Sequence, residues 1–190
     1  MKHIKQLHAG MLLSLRSWLP MALVITGVFL AIYCSGQYIV RSFANEEQIK
    51  IATEVSRYLN EGGNPMALNA NAPVDIEKTL SPYIIFYTLD LLPMTSSVVL
   101  DGERPVLPVG VYAHVKERGE HRLTWQPKRG LRQAVVLNYL DGPTAGYLLV
   151  GKSLKETERT MYWLWYILSV MWAITMLASL LVVTVVNKKA

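Results

Sequence analysis

Two runs without a charged residue dominate the hydropathy pattern, one over 17–40 (24 positions) and one over 161–186 (26 positions). An α-helix rises about 1.5 Å per residue and the hydrocarbon core of a bilayer is about 30 Å thick, so each run is long enough to cross. Aromatic residues collect at their edges, where amphipathic rings prefer the membrane–water boundary. Trp18 opens the first run and Tyr33 and Tyr38 close it, while Tyr162, Trp163, Trp165 and Tyr166 open the second. Two transmembrane helices are predicted.

The stretch between them is patterned like a water-soluble domain. Ile51, Ala52, Val55, Tyr58 and Leu59 recur at helical spacing, with Glu46, Glu47, Lys50, Glu54 and Arg57 on the other face. This predicts a helix continuous with the first span that runs to about Glu61 and stops at the Gly-Gly-Asn-Pro of 62–65. Residues 66–82 read as loop, with one helical turn over 75–80. Dense β-branched and aromatic runs predict strands over 83–89 and 96–100, paired with each other, with a turn at Asp101-Gly102. Residues 108–118 have helical spacing and end at Gly119, a C-cap residue. Strands follow over 120–126, 131–139 and 147–152, the first two joined by a turn over 127–130. Ser153 and Glu156 form a capping-box pattern that starts a helix into the second span.

Charge adds a topology. Of 19 basic residues, Lys2, Lys5, Arg16, Lys188 and Lys189 lie outside the spans, and the other 14 balance the 14 acidic residues of the middle. Short basic flanks are retained in the cytoplasm, so the expectation is a cytoplasmic tail at 1–16, a span at 17–40, an extracytoplasmic domain at 41–160, a span at 161–186 and a cytoplasmic tail at 187–190. The basic pI reflects that topology rather than nucleic-acid binding. The apolar run over 19–32 has no A-x-A cleavage site and Cys34-Ser35-Gly36 is a marginal one, which favours an uncleaved anchor. Cys34 is the single cysteine, so no intrachain disulfide can form, and it reads as a small apolar span residue.

The element order, together with the segments YIIFYTLD, VVLDGE and GYLLVGKSLKETE, resembles the PAS-like (PDC or single Cache) extracytoplasmic sensor domains of bacterial two-span receptors. GEHRLTWQPKRGLRQAVVLNY is also similar to small bacterial membrane proteins of the same layout, which supply no activity to carry over. The resemblance implies an α+β domain with a five-stranded antiparallel sheet. It also implies a ligand pocket between the sheet's inner face and the helix packed over it, near Tyr112, His114, Arg122, Trp125, Tyr139 and Lys152. The residues themselves leave blander readings open. Trp125 reads more readily as a core aromatic, His114 and His121 as two solvated histidines rather than a metal pair, and Arg122, Lys128, Arg129 and Arg132 as a solvated hairpin edge.

Receptors of the family continue past the second span into a transmitter, whereas this sequence ends at Ala190, so a signal would have to be read by another chain. No GxSxG, HExxH, phosphate-binding glycine loop or CxxC is present, and neither enzyme activity, a cofactor nor a metal is expected. Uncharged spans lack the marks of an ion pathway, and Thr175 with Ser179 forms a small-xxx-small pair that lets helices approach. The partners expected are the lipid bilayer, a second copy through the long N-terminal helix, or a separate membrane signalling protein. The functional expectation is a sensor or ligand-binding module, with an accessory role in dimerisation or docking as the alternative.

Overall fold

The computed structural model describes residues 2–68 and 72–189. Residues 69–71 of the stretch read as loop, and the side chains of Lys2, Lys5, Lys188 and Lys189, lie outside the described residues. The chain divides into two compact units, Met1–Val40 with Arg159–Ala190 and Arg41–Glu158.

The first unit holds the two helices that are long and apolar enough to cross a membrane, the apolar parts of α1 (Lys2–Asn60) and α3 (Lys155–Lys189). They pack antiparallel. The Trp18 indole N–H donates to Ser179 Oγ at 2.8 Å, the Trp172 indole N–H donates to Thr26 Oγ1 at 3.1 Å, and a Cβ at Gly36 would press on Leu164. These three meetings fall at successive levels, so the helices run in opposite directions along their apolar length. Ser179 is buried at the contact, where the small-xxx-small pair was expected to matter, while the aromatic residues at the start of the apolar part of α3 stay exposed. α1 is already helical from Lys2 and passes through Pro20 without ending.

The second unit, Arg41–Glu158, is α+β. α1 stops at Asn60 as its sequence predicts: Gly62 takes φ +90° and the Gly63 N–H returns to the Tyr58 carbonyl, a conformation open to glycine at no steric cost. A short 3₁₀ turn at Pro65–Leu68 follows. The strands are β1 (Val74–Asp75), β2 (Tyr83–Tyr87), β3 (Pro93–Ser96), β4 (Val98–Val99), β5 (Glu120–Lys128), β6 (Leu131–Leu140) and β7 (Gly146–Ser153), with α2 (Val109–Arg118) between β4 and β5. Five of them form an antiparallel sheet in the order β3-β2-β7-β6-β5.

Several details differ from the pattern reading. The partner of β2 within the first hairpin is β3, one turn earlier than the expected 96–100; the Val-Val of that run instead pairs in parallel with β1 as a separate two-stranded sheet. The tight turn after it is in place, with Asp101 and Gly102 both at positive φ and Leu100 bridged to Glu103. The expected helical turn also forms, as Asp75 accepts from the amides of Lys78 and Thr79. Pro127 and Lys128 belong to β5 rather than to the turn, which is Arg129-Gly130 alone. A bulge between Trp125 and Lys128 and the position of β5 at the sheet edge accommodate the proline, which has no N–H to donate.

Both faces of the sheet are covered. On one face α1 lays Ala52 and Leu59, with Ile49 and Val55 beside them, against Phe86, Val136, Leu140, Leu148 and Val150. On the other, Tyr112 and Val115 of α2, with Ile76, Val98 and Leu107 from the connecting segments, cover Ile85, Tyr87, Val135, Leu137 and Leu149. Burial on both sides explains why β6 and β7 read as nearly continuous apolar runs. Tyr58, expected on the buried stripe of α1, is exposed.

Candidate functional site

Strand alternation divides the six candidate residues. Odd-numbered positions of β6, and of β5 as far as Trp125, face α2 and even-numbered ones face α1, since Val135 and Leu137 pack in the first core cluster and Val136 and Leu140 in the second. Tyr112, His114, Trp125 and Tyr139 therefore lie on the α2 side, whereas Arg122 and Lys152 lie on the α1 side. The sheet stands between the two groups, so they do not form one pocket.

On the α2 side the interior is occupied by aromatic rings. Tyr112 meets Tyr87 edge-on at 5.5 Å and Tyr147 at 5.2 Å, and Tyr139 leans on Tyr147 at 5.3 Å. These are the offset and edge-to-face contacts that aromatic quadrupoles favour. The Tyr87 hydroxyl donates to the Pro105 carbonyl at 2.7 Å, and the Tyr112 hydroxyl accepts the Leu107 N–H at 3.2 Å, so both rings are fixed by the segment that crosses above them. Burial pushes both phenols above their ordinary pKa, and for Tyr87 the neighbouring Tyr112 adds to the rise. Trp125 is a core residue of the same layer. His114 and His121, expected as separate solvated histidines, are half-buried and pack edge to face with ring centres 4.6 Å apart, because Gly119 folds the end of α2 back onto the start of β5.

On the α1 side each cation has a partner. Arg122 Nε donates to Glu120 at 2.6 Å, and Lys152 Nζ donates to Glu47 of α1 at 2.6 Å. The hairpin end is likewise paired: Lys128 sits between Glu77 and Asp101, whose carboxylates hold its ammonium above the usual range, and Arg132 reaches Glu158 at 2.9 Å. A cleft of about 270 Å³ opens there, lined by Arg129, Arg132, Ser153 and Lys155 among others.

Two residues that sequence reasoning passed over are the most unusual in the domain. Gln48 of α1 and Gln133 of β6 are 1% and 0% exposed, and neither end of either carboxamide has a hydrogen-bond partner among the described residues. The Tyr83 hydroxyl, packed in the hollow left by Gly151, is also buried without one, and burial raises its pKa. Gln48 borders a cleft of about 130 Å³ on the α1 side with Arg122, Thr124 and Ala134. A signal for both was available. Gln48 lies four residues before Ala52 on the apolar stripe, and Gln133 interrupts the series Leu131, Val135, Leu137 along one face of its strand.

Among the described residues no group of three or more His, Cys, Asp or Glu side chains is arranged to hold a metal ion. Compared with protein-family models, with curated proteins and with solved structures, the chain matches none.

Proposed function

We propose that this is a two-span membrane protein with both termini in the cytoplasm and an extracytoplasmic PAS-like domain that acts as a sensing module through a partner chain. The observation that carries the reading is continuity. α1 is one unbroken helix from Lys2 to Asn60, and β7 is separated from α3 by Leu154 alone, with the Lys155 N–H resting on the Ser153 hydroxyl at 3.3 Å. A change in how α1 or β7 packs would therefore act on elements that run on into the apolar segments. Antiparallel apolar helices put both termini on one side, in keeping with the basic residues at both ends. The sheet order supports the PAS-like resemblance: the last strand lies central, beside the first strand of the sheet, and a helix connects the two halves.

A second reading, an accessory domain that dimerises or docks without a small ligand, is favoured by the tyrosine layer that fills the space under α2. The two readings separate in one experiment on the full chain in nanodiscs. Sensing predicts a concentration-dependent rise in Tm with at least one small metabolite, since a ligand bound only to the folded state stabilises it by RT ln(1 + [L]/Kd). The accessory reading predicts no such rise and a stoichiometric membrane partner on mild purification; the absence of both a rise and a partner would sink both readings.

A further inference from the structure

We propose that the cleft between α1 and the β5–β6 edge of the sheet binds a small uncharged polar solute of the amide or polyol class. Gln48 is the anchor. It ends the buried stripe of α1, is 1% exposed, and borders the cleft with neither Nε2 nor Oε1 bonded. A buried carboxamide is ordinarily satisfied at both ends, and one that is not points to a partner other than the chain itself. The opposite wall is β5, the outermost strand of the sheet, which brings the Thr124 hydroxyl to the same opening.

The flanking charges define the class of ligand. Arg122 is neutralised by Glu120, and Lys152, which stands beside the cleft residue Ala134, is neutralised by Glu47. Neither of these cations is left to call for a counter-ion. The unfilled valences are one amide donor, one amide acceptor and a hydroxyl, matched by a molecule that carries a carbonyl or hydroxyl oxygen next to an N–H or O–H. A volume of about 130 Å³ limits it to a few heavy atoms. Such a solute would tie α1 to the sheet, which gives the sensing reading a site on the helix that continues into the first apolar segment. Binding itself does not depend on that reading.

The test is a titration of the full chain in zwitterionic nanodiscs with acetamide and with glycerol, using acetate and glycine at matched ionic strength as charged comparators and Tm as the readout. The expected result is a saturable rise with acetamide or glycerol whose apparent affinity weakens at least about tenfold in Gln48→Leu and in Thr124→Val, one hydrogen-bonding partner of the solute being removed in each. Gln48→Leu removes unpartnered polar atoms and should melt no lower than the parent, so a lost response in it is not a folding failure. The proposal is overturned if no probe gives a saturable rise, or if the rise persists in Gln48→Leu, which leaves ordered water as the occupant. A response to acetate or glycine in place of the uncharged probes would overturn the class.

Discussion

Replacing Gln133 by Met should stabilise the protein. Gln133 is wholly buried on the α2 face of β6, level with Trp125 on one side and Ser153 on the other, and both polar ends of its side chain are unpaired. Each unsatisfied buried group costs roughly 1–3 kcal/mol. Two together give about 2–6 kcal/mol, and the lower end applies if an internal water meets part of the need. Methionine is also unbranched and adaptable, so it can follow the path of the glutamine side chain and replace the carboxamide by apolar contact. The expected gain is about 2 kcal/mol, or about 8 °C in Tm for a domain of this size. Urea unfolding of the full chain in detergent, followed by tryptophan fluorescence, reads it as a rise in midpoint at constant m. A loss of 1 kcal/mol or more would refute the reasoning, because it would mean that the carboxamide is held by bonds worth more than its desolvation.

Three further outcomes follow from the packing. Tyr83 and Tyr87 have pKa values raised by burial, so the folded state holds phenolic protons that the unfolded chain has released. Their contribution to stability is complete below about pH 10 and falls above it by up to about 1.4 kcal/mol per pH unit for each tyrosine. Absorbance at 295 nm with urea midpoints from pH 8 to 12 checks this, and all ten phenols ionising near pH 10 in the folded protein would contradict it. Gly151→Ala places a methyl against the Tyr83 ring and should cost about 1–3 kcal/mol by overpacking, less when Tyr83→Leu is added; a purely additive double variant would rule out the contact. In the apolar helices, Trp18→Phe removes the hydrogen bond to Ser179 and should weaken their association by about 0.6 kcal/mol, with no further loss in a Ser179→Ala background.

Most elements were legible because each carries a local signal. The period of α1, the glycines that end it, Asp101-Gly102, the Gly119 cap and the alternation of Leu123 with Trp125 all act within a few residues, and all are found in the structure. What was not legible depends on long-range pairing. That 98–99 would leave the sheet for β1, or that Pro127 would remain in an edge strand, is decided by neighbours distant in sequence. The candidate residues divide between two faces for a related reason. Arg122 and Lys152 were grouped with Tyr112 by resemblance, whereas the parity of a strand position decides its face. Parity also identifies Gln133, and helical phase identifies Gln48, yet a polar residue on an apolar stripe is conspicuous only once the face is known to be covered.

The proposed topology puts the domain and the two termini on opposite sides of a membrane. In a Cys34→Ser background, single cysteines introduced by Arg118→Cys in the domain and by Lys188→Cys after the second apolar segment report the side directly. With a membrane-impermeant maleimide applied to bacterial spheroplasts, labelling is expected at position 118 without permeabilisation and at position 188 only after it. Labelling of both positions without permeabilisation, or of position 188 alone, would contradict it.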